Sequence, residues 1–515
     1  MADTVREIER KYAATDRTGL PDLTAVHGVA AVVEKEPESL DATYYDTAAL
    51  CLAAHGITLR RRTGGHDPGW HLKLPVGPYV RDEIQAPPAV QLPRELAGLV
   101  RSRVRGAVLV PVVRLRTRRV RRQLIDGDGV VLAEVAVDTV RAERPGGAGE
   151  AVAWTEIEVE AAAGAGPGLL DAVDACLADG GIRRGDAPSK LARALAGTGL
   201  GARQGESPGA ERRKGGRSAA PPTAGDVVLA YAREQVREIV ALDPAVRREL
   251  PDAVHRMRVA TRRLRSTFRS YRAVLDRTVT EPVGVELRWL AGELGADRDR
   301  EVLAARIRDG LAAPGGPPCA GPVRDRVDAW SRARRSGARR RVVAVLDGQR
   351  YLALLDTLDG LLADPPLRKA AGKAPRKVLT KAVRKDFGRL ARRMAASPAA
   401  PAGEQRDLAL HAARKAAKRA RYAAEAARPA LGGRAGRFAR RIATLQQLLG
   451  DHHDSVMARE ALRELAAAAQ EAGESGFTFG VLHGREEAVA ADRERELPAR
   501  WAKAARAARR LGLTG

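Results

Sequence analysis

The sequence predicts two domains of different class, an antiparallel β domain followed by an all-α domain, and three observations carry that reading. Short segments with period-two alternation crowd the first 200 residues, and long Arg-, Ala- and Leu-rich stretches with helical spacing fill the remainder. Between them, residues 197–226 are rich in Gly, Pro, Ser and Ala and have no apolar period. At 515 residues the chain is too long for one ordinary core. The boundaries are read as 1–198 for the first domain, 199–225 for a flexible linker and 226–511 for the second, with halves of about 226–311 and 323–511.

In chain order, alternation predicts strands over 5–11, 58–62, 70–74, 112–120, 130–138 and 154–160, then helices over 169–177 and 189–195. Downstream, Pro/Gly-rich breaks at 312–322 and 397–404 interrupt the helical pattern. Three widely separated cysteines suggest neither a disulfide framework nor a zinc site, which fits a reducing cytoplasm. The first eleven residues are charged where a secretion signal needs an apolar run, and no stretch of about 18 apolar residues occurs. Neither secretion nor a membrane span is expected.

The net charge is +25, and its distribution is informative. Residues 1–200 hold 26 Lys and Arg against 27 Asp and Glu, leaving 63 basic and 37 acidic residues for the rest. The basic excess therefore belongs to the second domain, whose field attracts polyanions.

In the first domain the charges are ordered by face. Alternation sets Glu7, Glu9 and Lys11 together, and likewise Arg60 with Arg62, Arg114 with Arg116 and Arg118, Glu134 with Asp138, and Glu156 with Glu158 and Glu160. One reading is a sheet whose charged faces meet water. The other is a barrel whose charged faces point into a lumen, with water, ions and a charged ligand compensating their burial. Paired carboxylates suit hard divalent cations and clustered Arg and Lys suit phosphate oxygens, so a triphosphate with magnesium or manganese satisfies both signs.

These residues resemble the CYTH domain, the triphosphate tunnel metalloenzymes. Glu7-Ile8-Glu9-Arg10-Lys11 matches the ExExK signature, and the likeness continues through Tyr44-Tyr45-Asp46-Thr47, Leu59-Arg60-Arg61-Arg62, Trp70-His71-Leu72-Lys73, Arg81-Asp82-Glu83, Arg114-Leu115-Arg116, Asp138, Glu156-Ile157-Glu158-Val159-Glu160 and Ser189-Lys190. The resemblance implies an eight-stranded antiparallel tunnel with Glu7, Glu9, Asp138, Glu156 and Glu158 as metal ligands, Glu160 being able to replace one of them. It implies that Lys11, Arg60, Arg62, Lys73, Arg114, Arg116 and Lys190 bind the phosphate chain, with Arg81 a further candidate that Glu83 could orient. Glu7, Glu9 and Lys11 are the expected catalytic centre. The expected chemistry is in-line attack of an activated water on the terminal phosphorus, aided by Mg²⁺ or Mn²⁺. Related barrels act on inorganic triphosphate, thiamine triphosphate or RNA 5′-triphosphate, or cyclise ATP. The scarcity of aromatics, 3% of the chain, favours inorganic triphosphate.

The second domain carries an internal repeat. The segment 255–265, beginning His255-Arg256-Met257-Arg258, aligns without gaps on 411–421, with basic residues at offsets 3, 7, 8 and 10 in both. Leu294-Gly295 corresponds to Leu449-Gly450, and Asp299 to Asp454, while His453 stands where the first copy has Arg298. At 100° per residue, His255, Arg258, Arg262 and Arg265 form one helical ridge about 15 Å long, and His411, Arg414, Lys418 and Arg421 form its counterpart. The two aspartates are read as fixing the local turn or orienting arginines. Lys373, Arg376, Lys377, Lys381, Arg384 and Lys385 could extend the surface, on charge alone.

These segments resemble the CHAD family, which implies two pseudo-symmetric helical bundles around a basic groove that binds inorganic polyphosphate. Nucleic acid is less favoured, because single-strand binders add aromatic platforms and the ridges have only Tyr422, with Phe268 and Tyr271 just beyond the first. The partners expected are triphosphate and polyphosphate, with no membrane and no obligatory protein partner, in the cytoplasm and at polyphosphate granules. The alternatives are a non-catalytic polyphosphate-binding scaffold and an adenylate cyclase.

Overall fold

The computed structural model describes residues 3–77, 79–147, 150–162, 164–165, 167–200, 221–295, 298–332 and 337–514. The chain divides into two compact units, Met1–Gly215 and Gly216–Gly515. Most of the expected linker, residues 201–220, lies outside the described residues.

The first unit is built on β1 (Asp3–Ala14), β2 (Ala31–Glu34), β3 (Glu38–Asp46), β4 (Thr58–Thr63), β5 (Gly69–Gly77), β6 (Val80–Ala86), β7 (Val110–Ile125), β8 (Val131–Glu143) and β9 (Val152–Ala161). Eight of these close an antiparallel ring in the order β7-β3-β4-β5-β6-β1-β9-β8, because β8 pairs back onto β7. The short β2 flanks the ring on the end of β7.

Closure follows from where the apolar faces go. Leu59 of β4, Trp70, Leu72 and Leu74 of β5 and Ile84 of β6 pack under helix α1 (Arg94–Val104). Val135 of β8 and Ile157 and Val159 of β9 pack under α2 (Pro167–Asp179). The opposite, charged parity is thereby left to the lumen. One stretch of that lumen is apolar: Ala42, Val113, Leu115, Val140, Ala142 and Trp154 gather around Leu191, Ala194 and Leu195 of α3 (Lys190–Gly197).

The second unit is helical in all its regular structure among the described residues. Its elements are α4 (Ala224–Arg247), α5 (Ala253–Ser270), α6 (Arg277–Glu293), α7 (Arg298–Ala312), α8 (Val323–Arg332), α9 (Ala338–Asp347), α10 (Gln349–Ala363), α11 (Pro375–Ala399), α12 (Glu404–Leu431), α13 (Gly433–Glu471) and α14 (Phe477–Arg510). Thr223 opens α4 with a reciprocal cap to Asp226, which stops fraying where the domain begins. One large core takes residues from α4, α5 and α6 as well as from α9 to α14. A second core joins α7 and α8 to α13 and α14, so the sequence halves exchange partners.

Candidate functional site

The ring places a cavity of about 320 Å³ in the charged part of the lumen. Register explains its lining. Glu9 sits opposite Glu160, Lys11 opposite Glu158, Arg81 opposite Glu7, Lys73 opposite Glu83, and Asp138 opposite Glu156, all on the lumen parity of their strands. The cavity brings together Glu7, Glu9, Lys11, Arg60, Arg62, Lys73, Arg81, Glu158, Glu160 and Lys190.

Each cation there is held by carboxylates. Lys73 Nζ lies 2.5 Å from Glu7 Oε2, Arg60 Nη2 lies 3.3 Å from Glu83 Oε1, and Arg62 pairs with Asp67. Lys11 pairs with Glu158 and, at 3.4 Å, with Glu9. Arg81 Nε is 3.6 Å from Glu9 Oε1, and its Nη2 donates to Pro188 O at 2.7 Å. Glu83 instead accepts from Arg60 and stands 3.0 Å from His71 Nδ1, so Arg81 is positioned by Glu9 and the Pro188 carbonyl.

Asp138 and Glu156 stand behind Lys190. With its helix capped by Ser189, Lys190 projects Nζ to 2.8 Å from Asp138 Oδ2, 3.1 Å from Glu156 Oε1 and 2.5 Å from Glu158 Oε1. Trp154 Nε1 donates to the other Glu156 oxygen at 2.7 Å. A cation thus already occupies the centre of three carboxylates. The donors are all hard oxygens, which fits magnesium or manganese. Glu7, Glu9, Asp138, Glu156, Glu158 and Glu160 are the residues that would hold such an ion.

Burial raises the Glu7 carboxyl to about 8, against the pull of Lys73. Burial also opposes ionisation of Glu9 and Asp138, but their cationic neighbours prevail and hold both well below the usual carboxylate range. The buried Lys11 ammonium falls to about 8 despite Glu9. Burial likewise raises Glu160.

The structure does not bring Arg114 and Arg116 to the cavity. Both lie on the outward parity of β7, where Arg114 Nη2 is 2.6 Å from Asp41 Oδ2 and Arg116 Nη2 is 3.2 Å from Glu143 Oε1. Their lumen-parity neighbours Val113 and Leu115 belong to the apolar stretch beside α3. The lumen arginines of β7 are Arg119 and Arg121, which the alternation of 114, 116 and 118 passes over. Arg119 makes a two-point contact with Asp138, 2.7 Å at each nitrogen, and reaches Glu158 at 2.8 Å. Arg121 spans Glu38 at 2.5 Å and Glu134 at 3.2 Å. The run Arg118-Arg119-Val120-Arg121-Arg122 was their signal, since it places basic residues on both faces.

In the helical unit, a cavity of about 730 Å³ is lined by His255, Arg258 and Arg262 of α5, Arg414, Lys418 and Arg421 of α12, and Gly450 and Asp454 of α13. Six of the eight ridge residues meet there. Arg265 does not line it and lies near Arg269 and Arg288, which with burial lower its pKa. His411 does not line it either; its ring packs on His453 with centroids 4.3 Å apart. The side chains of Arg298 and Asp299 lie outside the described residues. Lys373, Arg376, Lys377, Lys381, Arg384 and Lys385 line none of this cavity.

The ridge cations crowd one another. Burial, Arg414 and Arg262 lower Lys418 to about 7, and burial, Arg414 and His411 lower His453 to about 4. The Nε atoms of Arg262 and Arg414 are buried without a hydrogen bond. The repeat's glycines face its arginines: a Cβ on Gly295 would come within 2.9 Å of Arg258 Nε, and one on Gly450 within 3.8 Å of Arg414 Nε.

Both sequence patterns find family counterparts. A CYTH domain matches residues 5–195, and a CHAD domain matches residues 230–463. Uncharacterized protein Rv2226 of Mycobacterium tuberculosis is 37% identical over 511 residues, covering 95% of this chain and 94% of that one. The chain belongs to the CYTH–CHAD family. CYTH domains are triphosphate tunnel metalloenzymes, a family that includes triphosphatases and adenylyl cyclases. Among solved structures, PptA from Streptomyces chartreusis covers 55% of this chain and 99% of its own at 23% identity and a TM-score of 0.47. The CHAD domain from the plant Ricinus communis covers 57% and 95% at 25% identity and 0.44.

A second polar cluster of the CHAD unit is self-neutralised. Asp407, His452 and Glu494 form the one group of three potential ligands within 4.8 Å among the described residues. Arg459 lies 2.8 Å from Asp407 and Arg406 3.4 Å from Glu494, so its carboxylates already have cations. Among the described residues no helix is long and apolar enough to cross a membrane.

Proposed function

We propose that the CYTH tunnel hydrolyses inorganic triphosphate with a divalent cation, and that the CHAD ridge binds inorganic polyphosphate. The observation that carries the first part is the meeting of both signs at one cavity: Glu7, Glu9, Glu158 and Glu160 line it with cations from β1, β4, β5, β6, β7 and α3, and Asp138 and Glu156 stand behind Lys190. A magnesium or manganese ion on the carboxylates would supply charge neutralisation at the phosphates. Lys11, Arg60, Arg62, Lys73, Arg81, Arg119 and Arg121 then hold phosphate oxygens, and fixed cations stabilise the charge that develops on the leaving phosphate. Tyr44 is the sole Phe, Tyr or Trp lining the cavity among the described residues, which supports an inorganic substrate over one with a base to stack.

The ridge supports the second part by its excess of cations over the carboxylates Glu234, Glu238 and Asp454 that share its cavity. A polyanion relieves the repulsion that depresses Lys418 and gives the buried Arg262 and Arg414 nitrogens an acceptor. Its affinity draws on counterion release.

The test is phosphate release from tripolyphosphate, ATP and long-chain polyphosphate, with magnesium or manganese, by the chain and by its Glu7→Ala/Glu9→Ala variant. Release from tripolyphosphate that the variant loses is the expected result. Cyclic AMP from ATP would replace this reading with a cyclase. No turnover of any substrate, beside tight polyphosphate binding, would leave a scaffold.

A further inference from the structure

The CHAD unit has another cationic cavity that the ridge does not use. About 590 Å³ in volume, it lies between α13 and α14. Arg434, Arg437, Arg440 and Arg441 enter it from α13, and Lys503, Arg506 and Arg510 from α14. Among the described residues no carboxylate lines it. Several other surface arginines of the unit are matched: Arg277 with Glu281, Arg306 with Glu486, Arg326 with Glu474 and Arg350 with Glu286, each at 2.7 Å. Seven cations converging on one concavity repel one another unless an anion joins them. The amino end of the 39-residue α13, which has no side-chain cap at Gly432, starts at this cluster and adds to the field.

This cavity also connects to the ridge. An intermediate cavity of about 670 Å³ shares Arg263 and Arg421 with the ridge cavity and Arg440 with the α13–α14 cavity, and Arg428 lines it between them. Glu425 weakens the middle of this track by pairing with Arg421 at 2.7 Å and Arg263 at 3.3 Å. The arrangement is therefore two strong anchors with a weaker stretch between. From Gly450 at the ridge to Arg437 is 13 residues on one helix, about 20 Å of axial rise.

We propose that the α13–α14 cavity is a second phosphate-chain site, and that a long polyphosphate threads from the ridge past Arg428 and Arg440 into it. This rests on the polyphosphate reading of the ridge. Only chains long enough to span both anchors gain from the second one, because its engagement is then intramolecular. Among the described residues no aromatic side chain lines the α13–α14 cavity, so they offer bases no stacking surface, and inorganic chains are the class it fits.

The experiment measures binding of tripolyphosphate and of long-chain polyphosphate to the full chain without divalent cation, over a series of salt concentrations. Arg437→Gln/Arg441→Gln/Arg506→Gln removes three exposed cations from the second site. Arg324→Gln/Arg340→Gln/Arg463→Gln removes three exposed cations that line none of these cavities and serves as the equal-charge control. The expected result is a loss of about ten-fold or more in long-chain affinity and a fall of about 2 in the salt slope for the first variant only. Tripolyphosphate affinity should stay within about two-fold, since it needs one anchor. Equal losses in the two triple variants would overturn the second site. So would tighter binding at the cavity of a single-stranded RNA of matched charge than of polyphosphate. If Arg262→Gln/Arg414→Gln/Lys418→Gln abolishes long-chain binding while the cavity variant leaves it intact, the ridge reading stands and this one falls. If the unaltered chain binds no polyphosphate, the ridge reading itself has failed.

Discussion

The tunnel and the ridge both gather cations around a cavity, yet they compensate them in opposite ways. In the tunnel, Lys73, Lys190, Arg60 and Arg119 each rest on carboxylates of neighbouring strands, and the ligand-free interior is close to internally neutral. On the ridge, Arg262, Arg414 and Lys418 face one another across two helices, and burial together with their repulsion lowers Lys418. A site where the signs balance can take a cation and a polyanion together, whereas a site where cations outnumber Glu234, Glu238 and Asp454 favours the polyanion. The first is also shielded by the barrel wall, so it should respond less to salt than the second.

The largest expected effect is on turnover. Lys73→Ala should lower kcat/KM for tripolyphosphate by about 10²–10³-fold, since it removes a fixed cation from the cavity. Steady-state phosphate release checks this. Ridge variants such as Arg414→Ala should leave that rate within about two-fold, and a comparable loss there would erase the division between the domains.

Stability should change with opposite sign in the two places. Asp138→Ala leaves Arg119 and Lys190 short of a buried partner and should cost about 3 kcal/mol in chemical denaturation. Lys418→Met should instead stabilise the helical unit by up to about 1 kcal/mol, because it removes a repelled charge. The sign with pH follows from linkage. Lys418 binds its proton more weakly folded than unfolded, so its penalty is complete below pH 7 and fades as pH rises from there toward 10.5. The gain from Lys418→Met should therefore shrink over that range.

Polyphosphate binding at the ridge should take up a proton near pH 7, because the polyanion restores the affinity of Lys418 for it. Calorimetry in buffers of different ionisation enthalpy reads that proton. The affinity should fall as pH rises from 6 to 8, by less than about ten-fold per unit for one group.

Smaller effects separate the two copies of the repeat. Gly295→Ala displaces the Arg258 guanidinium and should weaken polyphosphate binding about three- to ten-fold, while Gly450→Ala meets Arg414 at ordinary contact distance and should change little. Arg114→Ala, on the outward face of β7, should alter triphosphate turnover by less than about two-fold.

How much of this was legible in the sequence depended on whether one period dominated. Six of the eight ring strands were readable, because 5–11, 58–62 and 154–160 keep charge and apolar side chains on strictly alternate positions. Strands β3 and β6 escaped alternation alone, and the Tyr44 and Arg81 segments entered only through resemblance to a family. β7 misled for a physical reason. Its outward arginines 114, 116 and 118 alternate more cleanly than its lumen set, because the lumen face changes along the strand from Val113 and Leu115 to Arg119 and Arg121. Pairings that build the ring, such as Glu38 with Arg119 and Glu9 with Glu160, fix which parity is inside, and they link residues remote in sequence. In the helical unit the repeat revealed the two ridges, and their glycines were visible as a shared motif. Their purpose, room for Arg258 and Arg414, needed the antiparallel packing of α5 and α12 against the segments that follow. Arg265 and His411 diverged from their counterparts Arg421 and His255, which line the cavity, so the two copies of the repeat meet it at different ends of the ridge.

Lys190 has a consequence that reaches beyond its own contacts. Its ammonium rests among Asp138, Glu156 and Glu158, where it serves as a built-in counterion. A divalent cation held by those three carboxylates would compete with it, and a displaced ammonium would be available to an incoming phosphate. If the tunnel takes the two ligands together, each raises the affinity for the other by one and the same factor, as reciprocity requires of any pair of linked equilibria. On that reading the resting lysine would make the tunnel respond to the coincidence of metal and phosphate chain rather than to the abundance of either.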